Sequence, residues 1–146
     1  MSCVILGSNR EDMKICRRET FNAAHRLFRA DWDDEKNLEV FGKCSHPNYH
    51  GHNYVLEVWL DGPIDPETGF VVDLKFLKTI IIDNIIERFD HRNLNLDCVE
   101  FNGINPTTEN IAMVIWNILR EKLDDKFKLE VQVSETEKNK VLYTGN

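Results

Sequence analysis

Cys44-Ser45-His46-Pro47-Asn48-Tyr49-His50-Gly51-His52-Asn53-Tyr54, running on into Val55-Leu56-Glu57-Val58-Trp59-Leu60, is the stretch on which the reading of this chain turns. From His50 to Leu60 the alternate positions read His, His, Tyr, Leu, Val, Leu. Strand side chains alternate faces, so this period predicts a strand with one buried face and sets His50 and His52 together at its start. Two imidazoles on one side, with Gly51 between them admitting a close approach, can grip one metal ion. A Zn²⁺ ion needs at least one more ligand, and His25, closing the preceding strand pattern Phe21-Asn22-Ala23-Ala24-His25, is the candidate. Cys44 stays open between fourth ligand and reactive thiol, the difference between a closed structural site and an open catalytic one. His46, in a loop beside Pro47, is read as solvent-exposed rather than ligating.

Outward from this stretch, strands and helices separate. Met13 to His25 is a strand, Asp34 to Phe41 a short helix within a charged excursion, and Asp61-Gly62-Pro63 the stop of the His50–Leu60 strand. Phe70-Val71-Val72 reads as a brief strand. Asp73 caps a helix from Leu74 to Phe89 that buries Leu74, Leu77, Ile81 and Ile85. Residues 93–105 read as loop. Pro106 stands in the first turn of a second helix running to about Lys122, with Ile111, Ile115, Ile118 and Leu119 inward. Phe127, Leu129, Val131 and Val133 alternate as a strand, and Val141-Leu142-Tyr143 returns as a hairpin. Strand, strand, helix, helix, strand, strand argues for an α+β fold, an antiparallel sheet with two helices on one face. Its two open edges suggest oligomerisation by edge pairing.

Composition bounds the function. The 146 residues suit one domain over 1–146, with residues 1–12 as an N-terminal arm. The chain is 42% apolar and 29% charged, as globular proteins are. Its apolar runs are too short for a membrane span or a signal peptide, so a cytoplasmic protein with no membrane partner is expected. Cys3, Cys16, Cys44 and Cys98 form no CxxC pair and read as free thiols. A net charge of −7 without a basic block argues against nucleic acid, while leaving room for a small anionic substrate in a local basic pocket. Taken singly, Asp90-His91 is a polar helix terminus that becomes a proton relay if a thiol lies near. Glu109 serves a helix dipole. Glu135 closes an apolar alternation as a rim charge.

Collected, these residues resemble the 6-pyruvoyl-tetrahydropterin synthase / 6-carboxy-tetrahydropterin synthase family. The resemblance lies in FNAAHRL, NLEVFGKCSHPNYHGHNY, IDPETGFVVDL, FDHRNLN, PTTENIAMVIW and SETEKNKVLYTG, in family order from about residue 19 to 145. It implies the tunnelling fold, a four-stranded antiparallel sheet with two helices on one face. It also implies trimers stacked into a homohexamer, with active sites between subunits. His25, His50 and His52 would hold one Zn²⁺ per subunit, whose open position takes the side-chain oxygens of 7,8-dihydroneopterin triphosphate, with Mg²⁺ on the triphosphate. Cys44 would be the general base, Asp90 and His91 its relay from a neighbouring subunit, and Glu135 the anchor of the pterin's guanidine-like edge. Thr107, Thr108 and Glu109 would complete the substrate pocket. Triphosphate leaves and the side chain rearranges by internal redox, making the chain a carbon–oxygen lyase. Arg26, Lys43 and Arg92 are candidate phosphate contacts by proximity alone.

His46 departs from the animal-like pattern, and Asp73 resembles the branch that makes a queuosine precursor as 6-carboxy-tetrahydropterin synthase. The five residues between Cys44 and His50 match the pyruvoyl spacing, longer than that of the carboxy branch, and favour the pyruvoyl product. A reading of another class closes the zinc site with Cys44 and makes the protein a non-enzymatic module; the relay and anchor motifs have no purpose in it.

Overall fold

The computed structural model describes residues 12–145. The arm expected over residues 1–12 therefore lies outside the described residues except for Asp12, which opens the first strand. β1 (Asp12–His25) and β2 (His50–Pro63) pair antiparallel along their whole length, with Phe21 opposite Tyr54, Ala23 opposite His52 and His25 opposite His50. β4 (Lys128–Ser134) pairs with β2, and β5 (Lys140–Tyr143) with β4.

The alternation read from the sequence fixes the buried face. Tyr54, Leu56, Val58 and Leu60 are fully buried, as are Val131 and Val133. Phe21 stacks on Tyr54 with ring centroids 5.0 Å apart. Against this face lie α2 (Leu74–Ile81), through Leu77 and Ile81, and α5 (Thr108–Arg120), through Ile111, Ile115 and Leu119. Each such side chain contributes roughly 1.5–3 kcal/mol by leaving water. The cap predicted at Asp73 is made, its carboxylate accepting from the Lys75 N–H at 2.8 Å. α1 (Asp34–Phe41) forms where expected, capped by Asp33. No helix among the described residues is long and apolar enough to cross a membrane.

Several expectations are corrected. The sheet has five strands in the order β3-β1-β2-β4-β5, and β3 (Arg92–Asn93) pairs parallel with β1, so it is mixed rather than a four-stranded antiparallel sheet. A two-residue strand carries no periodicity to detect. Asp61-Gly62-Pro63 does not stop β2, because β1 extends to Asp12 and supplies partners that far; Pro63 is tolerated at a strand end. Phe70–Val72 is no strand: the Asp65 N–H donates to the Phe70 carbonyl at 2.8 Å, closing a turn. Leu74 is exposed rather than buried.

The helix from Leu74 also changes form, widening to a π turn at Ile82–Ile86 before finishing as α3 (Glu87–Phe89). Leu77, Ile81, Ile85 and Phe89 are all fully buried. A strict four-residue repeat drifts about 40° per step around a 3.6-residue helix, and the wider turn takes up that drift. Residues 93–105 contain α4 (Leu94–Asp97), capped by Asn93, and a 3₁₀ turn at Val99–Phe101 instead of plain loop. Pro106 precedes α5 instead of sitting in its first turn. Thr107 is the cap, its hydroxyl accepting from the Asn110 N–H at 3.2 Å.

Candidate active site

The β1–β2 register brings three imidazoles together at one end of the buried face. The candidate ligand nitrogens of His25, His50 and His52 all lie within 4.8 Å of one another. The small Ala23 opposite His52 leaves space for the rings. His25 is wholly buried, and its Nδ1–H donates to the Pro106 carbonyl at 2.8 Å, which leaves the Nε2 lone pair for the cluster. Burial holds His25 below the ordinary imidazole range, against the pull of that carbonyl; burial and then the neighbouring His52 do the same for His50. Both ring nitrogens of His50 and Nε2 of His52 are buried without a hydrogen-bond partner among the described residues. Stranded polar atoms of this kind cost about 1–3 kcal/mol each. Imidazole nitrogens brought together in this way, three of them without a hydrogen-bond partner, are the donor set of a metal ion, and Zn²⁺ fits it.

Cys44 stands outside that cluster, in the 3₁₀ turn Gly42–Ser45. The turn is tied to the end of β1 where the Leu27 N–H donates to the Cys44 carbonyl at 2.9 Å. The thiol is half-buried and lines a cleft of about 560 Å³ together with Thr107, Thr108, Glu109 and Glu135. The structure thus gathers the cysteine and all four residues expected to bind substrate. Thr107 is there with its hydroxyl already engaged as the α5 cap. Lys138, Asn139 and Lys140 line the same cleft and escaped sequence reasoning. Lys138 and Asn139 belong to the turn between β4 and β5 and Lys140 opens β5, where the only signal was closeness to Glu135. Glu135 also reaches the histidines, with Oε1 3.4 Å from His25 Nε2 and 3.3 Å from His52 Nε2. Burial, then the charges of Glu135 and Cys44, raise the Tyr54 phenol far above its usual range.

Asp90 and His91 lie elsewhere. The Asp90 carboxylate accepts from the Asn22 N–H at 2.8 Å and lies 2.8 Å from His91 Nδ1. The Asn22 bond, more than the imidazole, holds the carboxyl below its usual range. His91 has φ of 59°, unusual outside glycine, and its side chain is 81% exposed. The pair sits beside β1 on the β3 side, away from β4, and does not line the Cys44 cleft. Arg26, Lys43 and His46 border a second cleft that reaches His50, so His46 is drawn to the site's margin rather than into the metal cluster. Arg92 lies in β3, apart from both clefts.

A mixed α+β sheet whose strand ends converge three histidines, with a thiol and a carboxylate close by, defines a protein built to hold a metal beside a small-molecule cleft. The chain belongs to the 6-pyruvoyl tetrahydropterin synthase family, whose model matches residues 14–146. It is 42% identical over 139 residues to human 6-pyruvoyl tetrahydrobiopterin synthase, covering 95% of this chain and 96% of that one. Its likeness to the Drosophila melanogaster protein of that name is 46% over 132 residues, 90% of this chain and 79% of the relative. The structure of Caenorhabditis elegans 6-pyruvoyl tetrahydropterin synthase superposes with a TM-score of 0.87 at 37% identity, covering 93% of this chain and 97% of that one.

Proposed function

We propose that the chain is a cytoplasmic, zinc-dependent 6-pyruvoyl-tetrahydropterin synthase acting on 7,8-dihydroneopterin triphosphate. The observation that carries this reading is the cluster of His25, His50 and His52, in which both His50 nitrogens and His52 Nε2 have no hydrogen-bond partner among the described residues, set beside a cleft that holds both Cys44 and Glu135. A zinc ion bound there supplies Lewis acidity that acidifies the substrate's carbon-bound hydrogens next to its hydroxyls.

The chain's own groups do the rest. Glu135 accepts two parallel hydrogen bonds from the amino-pyrimidine edge of the pterin and fixes the ring. Cys44, as thiolate, takes the carbon-bound proton. The Asp90–His91 pair, delivered by a neighbouring subunit, relays that proton. Thr108 and Glu109 shape the pocket, and Thr107 holds the α5 terminus that positions them. Lys138 and Lys140 add positive charge beside an anionic substrate that carries Mg²⁺ on its triphosphate. Loss of triphosphate and internal redox of the side chain balance without a nicotinamide. The assembly is a homohexamer, a dimer of trimers.

The test is mass spectrometry of the products formed from 7,8-dihydroneopterin triphosphate and Mg²⁺ by the zinc-loaded protein. A pyruvoyl-tetrahydropterin product is expected. A carboxy-tetrahydropterin product with released acetaldehyde would move the chain to the queuosine branch, and unchanged substrate would overturn the enzyme reading. Cys44→Ala should stay folded and zinc-loaded while losing about 10²–10⁴ in rate. Loss of zinc from that variant, by elemental analysis, would instead indicate a closed structural site.

A further inference from the structure

The geometry points to Glu135 as a fourth metal ligand in the substrate-free protein, a carboxylate that leaves the metal when a pterin claims it. Its Oε1 lies 3.4 Å from His25 Nε2 and 3.3 Å from His52 Nε2. Donor atoms about 2.0–2.1 Å from one tetrahedral zinc stand roughly 3.3–3.4 Å apart along the tetrahedron's edges. Both separations match two such edges, while the mutually close set itself comprises His25, His50 and His52 alone, so a carboxylate rotation completes the third edge, to His50. They are not hydrogen bonds. The Nδ1 proton of His25 is committed to the Pro106 carbonyl, which leaves a lone pair at Nε2, where the Tyr54 hydroxyl and the Glu135 carboxylate each lie at 3.4 Å. His52 Nε2 is buried without a hydrogen-bond partner among the described residues, although Oε1 is at 3.3 Å. A carboxylate oxygen facing the His25 Nε2 lone pair at this range repels it unless a cation lies between them.

The backbone behind Glu135 is fixed. Its N–H donates to the Asn139 carbonyl at 3.1 Å, and the Thr136 hydroxyl accepts from the Lys138 and Asn139 N–H groups at 3.2 and 3.1 Å. Movement of the carboxylate is therefore a side-chain rotation, not a loop rearrangement. Glu135 also borders the cleft shared with Cys44 and Thr108. From there it can turn to the paired N–H donors of a pterin edge, the role given to it in the proposed function, on which this second half of the inference rests. The metal is then closed by His₃Glu at rest. It exposes a coordination position only when a pterin is seated, so its Lewis acidity is withheld from water and stray anions until substrate arrives.

Cobalt(II) replacing zinc in the full chain gives a visible spectrum that reports ligand set and coordination number. Glu135→Gln, without any pterin, should bind Co²⁺ about 10- to 100-fold more weakly than the parent and show shifted bands. Adding 6-methylpterin, which lacks side-chain hydroxyls, should move the parent spectrum toward that of Glu135→Gln and leave the variant's spectrum unchanged. Identical spectra and affinities in parent and variant would overturn the fourth-ligand assignment while leaving the three-histidine site intact. Absence of Co²⁺ binding by the parent would overturn both. If the variant does not fold, the parent decides: 6-methylpterin that quenches on binding yet leaves the cobalt bands unmoved overturns the switch. Failure of 6-methylpterin to bind at all would count against Glu135 as pterin anchor and against the exchange.

Discussion

At the scale of single residues, environment separates Cys44 from Cys16 and Cys98, the other cysteines among the described residues. Burial pushes the thiols of Cys16 and Cys98 up to about 11, helped by Glu57 at the first and by Glu100 and Asp97 at the second. Thiolates are the nucleophiles, so both are protonated and unreactive at pH 8. Cys44 is half-buried on a cleft. Iodoacetamide at pH 8 should therefore modify Cys44 well before Cys16 or Cys98, with the two catching up only as the pH approaches 11; peptide mapping by mass spectrometry reads the order. Rapid labelling of Cys16 at pH 8 would show that the sheet face around it opens. The histidine cluster was legible because period-two alternation is a strong signal and His25 closes its own strand pattern, and the β1–β2 register sets it opposite His50. Glu135's approach to the imidazoles was not legible. An acidic residue at the end of an apolar alternation looks the same whether it faces solvent or three histidines, and the register between β2 and β4 decides which.

At the scale of elements, the strongly periodic pieces were readable and the short ones were not. Asp73 and Thr107 illustrate both sides. The first reads as a cap and is one, whereas Pro106 drew attention from Thr107, the residue whose hydroxyl meets the Asn110 N–H. Thr107→Ala should cost about 1 kcal/mol in urea unfolding, the usual worth of a lost N-cap. Because the Pro106 carbonyl immediately before it holds His25 Nδ1, the same change should weaken metal binding as well. A stability loss with unaltered metal affinity would show that the α5 terminus and the cluster are uncoupled. The π turn was illegible since the four-residue repeat of Leu77, Ile81, Ile85 and Phe89 fits an α-helix almost as well over two turns. Gly62 is a further case, read as a stop where it is a packing requirement. A Cβ there would meet Phe127 Cδ1 at 2.7 Å, and Phe127 is buried. Gly62→Ala should destabilise by about 1–3 kcal/mol through overpacking, measured by the same urea titration. A neutral result would mean that Phe127 can swing aside.

At the scale of the whole molecule, one chain gathers the metal cluster, thiol and carboxylate but leaves the Asp90–His91 pair on the far side of β1, its imidazole exposed and its backbone in an unusual conformation. A carboxylate–imidazole pair anchored by the Asn22 N–H and yet facing outward suits the proposed service to the cleft of another subunit. β5, at the opposite border of the sheet, leaves an edge with which another copy can pair. Sites assembled from two chains have a consequence that sites within one chain lack. Cys44→Ala and His91→Ala should each lose most of the turnover when expressed alone. Co-expressed in equal amounts, they should regain about one quarter of parental activity, because a random pairing places an intact Cys44 opposite an intact His91 in one arrangement of four. Activity of the co-expressed pair no higher than that of either variant alone, in oligomers whose mixed composition is verified by native mass spectrometry, would place the pair and the thiol in service of the same subunit. It would require Asp90 and His91 to cross β1 on substrate binding, a movement opposed by the 2.8 Å bond to Asn22 and by the pairing of β3 with β1.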